Sequence, residues 1–152
     1  MKQFETIKKH IKWEKYYNPD FDWNDDEFYY YNKAILSEDF IREFQDKVNW
    51  KHISYFLKPS EDFIREFQDK VNWKYISFNQ TLSEDFIREF QDKVNWKSIY
   101  YSLINELTSA MTNDVWKTRI FSEDFIREFQ DKMNWDKISK LQRLLKKHKN
   151  RM

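Results

Sequence analysis

The stretch SEDFIREFQDK at residues 37–47 recurs without change at 60–70, 83–93 and 122–132. Successive copies start 23, 23 and 39 residues apart, and we number them repeats 1 to 4. Each copy continues into a Val-Asn-Trp or Met-Asn-Trp step, whose tryptophans are Trp50, Trp73, Trp96 and Trp135. A fixed period of this length is a signature of repeat architecture. The sequence therefore predicts a protein built from tandem units.

Each unit has the pattern of two short helices. In repeat 1, Ser37 suits an N-cap, and the two acidic residues after it suit the positive end of the helix dipole. An apolar stripe at helical spacing follows, formed by Phe40, Ile41, Phe44 and Val48. Asn49 suits both the end of this helix and the N-cap of a second one. The second helix has its own apolar face, formed by Trp50, Ile53 and Leu57. We expect helices of about 8–12 residues.

Helices this short are marginally stable alone, so neighbouring units must stack to bury their apolar faces. The predicted fold class is all-α, a short α-solenoid or compact array of two-helix repeats of about 23 residues. Aromatic stripes at helical spacing normally pack inward, so the four repeat tryptophans are expected in the core. On this basis Trp73→Ala should cost about 3–5 kcal/mol.

The predicted organisation is a single helical-repeat domain over residues 1–152. Residues 1–35 form a divergent N-terminal cap, and residues 36–139 hold the repeats. A degenerate unit is expected at 100–121, because residues 103–107 keep the apolar and acidic pattern of Phe-Ile-Arg-Glu-Phe. Residues 140–152 form a basic C-terminal cap or tail.

The composition excludes several classes of protein. The chain has 152 residues, a net charge of +1, and neither cysteine nor glycine. It therefore lacks the disulfides and Cys-ligated metal sites that need cysteine, and the phosphate-binding loops and nucleophile elbows that need glycine. The balanced charge argues against binding nucleic acid through the whole surface.

No catalytic, cofactor-binding or metal-binding residue is predicted, and the chain is not expected to be an enzyme. The Ser-Glu-Asp triplets suit helix starts better than a calcium loop, which would need more oxygen ligands. The histidines His10, His52 and His148 lie far apart in sequence. Tyr, Ser and Lys occupy the position of His52 in the other repeats, which favours an exposed position.

No membrane contact is expected, because the first 17 residues have no apolar signal region and no apolar stretch approaches the length of a membrane span. A cytoplasmic location is the default expectation.

The pattern LSEDFIREFQDKVNW followed by Ile-Ser resembles a short tandem repeat in proteins of large double-stranded DNA viruses of the mimivirus type. The resemblance is strong over residues 36–101 and 121–139. It implies a viral accessory or host-interaction factor in the host cytoplasm. It carries over no activity and no catalytic residues.

The candidate partner-binding residues lie outside the identical repeats, in an acidic segment, an aromatic run and a basic tail. The acidic and aromatic residues are Asp20, Asp22, Asp25, Asp26, Glu27, Phe28, Tyr29, Tyr30 and Tyr31. The basic residues are Lys140, Arg143, Lys146, Lys147, Lys149 and Arg151. The four aromatic residues cannot all face inward on one helix or strand, so some must be exposed, as aromatic residues at interfaces are.

These residues leave three functions open. The first is non-enzymatic binding of a protein partner, for which repeat arrays offer extended surfaces. The second is binding of nucleic acid or ribonucleoprotein through the basic tail, which would depend strongly on salt. The third is structural self-association, in which the acidic end of one chain meets the basic end of another.

Overall fold

The computed structural model describes residues 16–34, 36–113 and 120–149, and over these residues it contains helices and no strands. The chain divides into two compact units, Met1–Asn72 and Trp73–Met152. The helices of the first unit are α1 (Asp26–Tyr31), α2 (Glu38–Glu43), α3 (Trp50–Phe56) and α4 (Glu61–Glu66). Those of the second are α5 (Trp73–Asn79), α6 (Glu84–Glu89), α7 (Trp96–Asn113), α8 (Glu123–Glu128) and α9 (Trp135–Lys149). The predicted all-α array of two-helix repeats is confirmed.

The first helix of every repeat begins at the predicted serine cap. The hydroxyl of Ser37 accepts the N–H of Phe40 at 3.2 Å, and the other three copies repeat this contact. These helices have only six residues, fewer than expected. In repeat 1 the reason is a tight turn, because Lys47 and Val48 both donate their N–H groups to the carbonyl of Phe44. The predicted apolar stripe is nevertheless buried on both sides of that turn.

The second helices differ in length. The side chain of Asn49 caps α3 by accepting the N–H groups of Lys51 and His52, and α3 ends after seven residues. In contrast, α7 runs without a break for 18 residues. The degenerate unit expected at 100–121 therefore begins as a continuation of α7, with no new helix start at residue 103, and residues 114–119 lie outside the described part.

The core contains one fully buried phenylalanine per repeat, and the isoleucine beside it is also buried in repeats 1 to 3. The phenylalanines are Phe40, Phe63, Phe86 and Phe125. The tryptophans do not all behave as expected, since Trp50, Trp73 and Trp96 are only half-buried. Each of these packs against a phenylalanine of the following repeat, with tilted rings whose centroids are 4.8 to 5.1 Å apart. Trp135 alone is buried.

Neighbouring repeats are joined by a recurring set of polar contacts, best seen between repeats 1 and 2. Counting the first serine of a repeat as position 1, the junction groups are the Glu at position 2, the Arg at position 6 and the Ser at position 18. Glu38 accepts the N–H of Ser60 at 2.7 Å, Arg42 lies 2.8 Å from the carboxylate of Glu66, and buried Ser54 accepts the N–H of Asn72 at 2.8 Å.

The same contacts recur in the second unit. The carboxylate of Glu84 accepts the backbone N–H and the hydroxyl of Ser122. Arg88 lies 2.7 Å from Glu128, and this hydrogen bond raises the pKa of Arg88. Between repeats 2 and 3, Ser77 accepts the N–H of Asn95 at 2.8 Å. The Glu and Arg at positions 2 and 6 are the same in all four repeats, whereas position 18 is Ser in repeats 1, 2 and 4 and Tyr100 in repeat 3.

Residues 16–31 pack against repeat 1 at the position that a preceding repeat would occupy. Tyr17 donates its hydroxyl to Glu43 at 2.7 Å, where a repeat would supply an arginine. The hydroxyl of Tyr29 accepts the N–H of Asn49 at 2.7 Å, where a repeat would supply a serine. Tyr16 is fully buried and meets Phe40 edge to face, with ring centroids 5.1 Å apart. The N-terminal side of repeat 1 is thus closed.

Candidate protein-binding surface

Helix α1 divides the predicted aromatic run between core and surface. Phe28 and Tyr29 are buried, whereas Tyr30 is 55% and Tyr31 75% exposed. The division follows from helical geometry, because four consecutive residues cover more than one full turn. Phe28 and Tyr29 were predicted to bind a partner, and their burial corrects that prediction. Tyr30 and Tyr31 are accessible.

Tyr30 and Tyr31 belong to a larger exposed cluster that includes the end of α3. The rings of Tyr30 and Tyr31 meet edge to face with centroids 5.0 Å apart, and the ring of Phe56 lies 6.2 Å from Tyr30. Tyr55, half exposed, meets Phe56 edge to face at 4.8 Å. We call Tyr30, Tyr31, Tyr55 and Phe56 the aromatic patch. The ammonium group of Lys33 lies over the Tyr30 ring, 4.6 Å from its centroid.

Sequence reasoning missed Tyr55, although the repeat alignment carried a signal. Position 19 is an exposed aromatic residue in three repeats, as Tyr55, Phe78 and Tyr101, and Lys140 in the fourth. This position lies two residues after the buried Ile of the second helix, on the side away from the core. The recurrence of large aromatic residues at an exposed position is the sequence signal that would have identified Tyr55.

The acidic segment is exposed, but several of its carboxylates have local structural roles. Asp22 accepts the N–H of Asn24 at 2.9 Å, and Asp25 caps α1 by accepting the N–H of Glu27. Asp26 lies 2.8 Å from Nε2 of His52. Of the predicted acidic residues, Asp20 and Glu27 are also exposed. The segment thus forms the turn that precedes α1 and gives the surface beside the aromatic patch a negative charge.

His52 is not exposed as expected, and its position is a correction. Its side chain is 13% exposed and packs between Tyr29 and Phe56, at ring distances of 5.0 and 6.0 Å. Nδ1 is buried and has no hydrogen-bond partner in the described ranges. The divergent α1 supplies Tyr29 and Asp26 beside His52, whereas Phe56 belongs to the same helix as His52.

The side chain of Tyr29 joins the buried core to the contact between residues 16–31 and repeat 1. Burial raises the pKa of Tyr29 to about 12, so the phenol stays protonated at neutral pH. It donates to the carbonyl of Trp23 at 2.9 Å while it accepts from the amide of Asn49. The hydroxyl of Tyr29 is fully used in holding the fold, which agrees with its removal from the binding surface.

The predicted basic residues lie on α9. Lys140, Arg143 and Lys147 share one helical face at i, i+3 and i+7, and Lys146 borders it. All four are exposed, and none makes an ion pair within the described part of the chain. The side chain of Lys149 and the whole of Arg151 lie outside the described residues. The basic and acidic predicted residues belong to different units, Trp73–Met152 and Met1–Asn72.

Neither a metal site nor a membrane-spanning helix is found among the described residues. Over the described ranges, no group of three or more His, Cys, Asp or Glu side chains is placed to hold a metal ion. No helix among those described has both the length and the apolar character needed to cross a bilayer.

Comparison of the chain with protein-family models, with curated proteins and with solved structures gave no match.

Proposed function

We propose that this chain is a non-enzymatic repeat protein that binds another protein, with the aromatic patch as the centre of the contact. The observation that carries the proposal is the exposure of Tyr30, Tyr31 and Tyr55 in one cluster. Tyrosine is among the residues that dominate binding energy at protein interfaces, because it buries a large area at a small cost in side-chain entropy.

The surroundings of the patch suit a protein partner. Acidic residues of 20–27 lie next to it in sequence, and Lys33 lies at its edge. An apolar centre with a charged rim is the usual anatomy of an interface, in which charges steer the partner and set specificity. The resemblance of the repeats to those of large DNA viruses supports a role as an accessory or host-interaction factor in the host cytoplasm.

Affinity capture from cell lysate tests this proposal. We expect the tagged chain to retain a defined set of proteins after nuclease treatment, and the double variant Tyr30→Ser/Tyr31→Ser to lose most of them. The matched control is Tyr101→Ser, which removes a half-exposed tyrosine from the other unit. Both changes are at exposed positions and should leave folding intact.

Three results would contradict the proposal. The first is a set of proteins that disappears with nuclease. The second is recovery of the chain alone, which would favour self-association. The third is an equal loss of partners in the Tyr101→Ser control.

Binding of nucleic acid through α9 is the second candidate, favoured by the unpaired cations on one helical face. It predicts weak, sequence-independent binding to duplex DNA at low salt. The logarithm of the binding constant should fall with the logarithm of salt concentration by about 0.9 per phosphate neutralised.

The triple variant Lys140→Ala/Arg143→Ala/Lys147→Ala tests the second candidate. If α9 contacts phosphates, the salt slope should fall by about 2 to 3. The matched control removes three exposed lysines that follow the repeat tryptophans, as Lys51→Ala/Lys74→Ala/Lys97→Ala. Equal slopes in the two variants would reject α9 as the nucleic-acid surface.

A further inference from the structure

Repeat 4 carries the same junction groups as repeat 1, but within the described residues no other repeat contacts them. Its residues at positions 2, 6 and 18 are Glu123, Arg127 and Ser139, the same types that in repeat 1 contact the next repeat. Within the described residues, Glu123 and Ser139 have no polar partner, and Arg127 contacts only Asp124 of its own helix at 3.4 Å. We call Glu123, Arg127 and Ser139 the open junction.

The exposure of the side chains in repeat 4 agrees with this lack of contacts. The side chain of Arg127 is 74% exposed, whereas Arg42 and Arg88, which contact a following repeat, are 37% and 33% exposed. Ile126 is half-buried, although the isoleucine at this position is fully buried in the other three repeats. The uncovered surface of repeat 4 is therefore apolar as well as polar.

A groove of about 600 Å³ between α8 and α9 contains the open junction. Gln142 lines it as well and is 95% buried by its neighbours, yet its amide nitrogen has no hydrogen-bond partner within the described ranges. Arg143 and Lys146 add two cations to the rim. The groove offers hydrogen-bond donors and positive charge around an apolar floor, which suits a segment that brings a carboxylate and an apolar side chain.

Trp135 makes different contacts from the other repeat tryptophans. Trp50 stacks on Phe67 of the next repeat and donates its indole N–H to the carbonyl of Gln45. Trp135 instead turns onto its own repeat, where it meets Phe121 and Phe125 edge to face and donates to the carbonyl of Phe129. A long second helix is no obstacle to a following repeat, since α7 has 18 residues and repeat 4 packs after it.

We propose that the open junction binds a helix of a partner protein that carries the repeat signature, a serine N-cap with a glutamate six residues later. The backbone N–H of that serine would donate to Glu123, as the N–H of Ser60 does to Glu38, and the glutamate would pair with Arg127, as Glu66 does with Arg42. This proposal rests on the protein-binding function above and names the chemistry of one partner.

A different polypeptide fits this surface better than a second copy of the chain. The glutamates at position 7 in repeats 1, 2 and 4 are already bound to Tyr17, Arg42 and Arg88. Tyr16, Tyr17 and Tyr29 also close the N-terminal side of repeat 1. A second copy would have to break one of these contacts before its repeat 1, 2 or 4 could enter the groove.

The experiment titrates the full chain into a fluorescent, N-acetylated peptide of residues 82–101 and follows the anisotropy. We expect saturable binding that Arg127→Glu weakens by about tenfold or more, since it replaces an ion pair with a repulsion. A peptide with Glu89→Arg should regain affinity for the Arg127→Glu chain. The matched control is Lys132→Glu, which makes the same charge change on repeat 4 outside the groove and should leave the affinity unchanged.

Four results would overturn the proposal. One is no binding up to about 1 mM of the chain together with identical captured proteins for the wild type and Arg127→Glu. Another is an equal loss of affinity in the Lys132→Glu control. The third is Arg127-dependent dimerisation of the chain alone, which would make a second copy the occupant. Capture that needs Tyr30 and Tyr31 but not Arg127 would reject the open junction and leave the proposed function standing.

Discussion

Replacement of Phe86 by alanine is expected to lower the free energy of unfolding by about 3–5 kcal/mol. Phe86 is fully buried and packs against Trp73 and Phe90, with ring centroids 6.2 and 4.7 Å away. Its removal leaves a cavity that short helices cannot close without loss of their other contacts. Because domains of this size are only marginally stable, the loss is a large part of the total. Urea denaturation at a constant m-value measures it.

The matched control is Phe78→Ala, which removes the same side chain from an exposed position and should change stability by less than about 1 kcal/mol. The loss of stability in Trp73→Ala should lie between those of Phe86→Ala and Phe78→Ala, because the indole is half-buried and already partly in water. This revises the larger loss that the sequence alone predicts for Trp73. A Phe86→Ala variant as stable as the wild type would show that the repeat phenylalanines do not form the core.

The variant Ser54→Ala is expected to cost about 1–3 kcal/mol, although it removes only one oxygen atom. Ser54 is fully buried, and its hydroxyl accepts the N–H of Asn72 while donating to the carbonyl of Trp50 at 2.7 Å. Alanine would leave the half-buried amide of Asn72 without a partner. Denaturation curves of the variant and the wild type give the difference.

Ser139→Ala is the matched control for this change. Ser139 occupies the same repeat position, but no following repeat presents an amide to it within the described residues. The purified Ser139→Ala variant should therefore be as stable as the wild type to within about 0.5 kcal/mol. An equal loss at both positions would show that the serine acts inside its own helix and not at the junction.

Local features of the repeat were predictable from the sequence because they depend on neighbouring residues. The serine caps, the asparagine cap of α3 and the buried Phe-Ile pair follow from propensity and spacing alone. The length of α7 was not predictable in this way, since residues 103–107 fit both a new repeat helix and the extension of the old one.

The candidate surfaces were predictable only in part, because their exposure depends on partners distant in sequence. The aromatic run of α1 was found, but its division into buried Tyr29 and exposed Tyr30 depends on where the helix meets α3. The half-buried state of Trp50 depends on which face of it the next repeat covers. The open junction is visible only when the pairings of Arg42 and Arg88 are known.

Hydrogen exchange at the amides of Asn72 and Asn95 tests the central claim, that one recurring junction joins the repeats. Each of these amides lies just before a helix, where an N–H normally has no partner in the helix, and each donates to a buried serine of the preceding repeat. The account predicts exchange slowed by about a hundredfold or more at both, with Ser54→Ala removing the protection of Asn72 and leaving that of Asn95. Exchange of both amides at the rate of an open loop would contradict it.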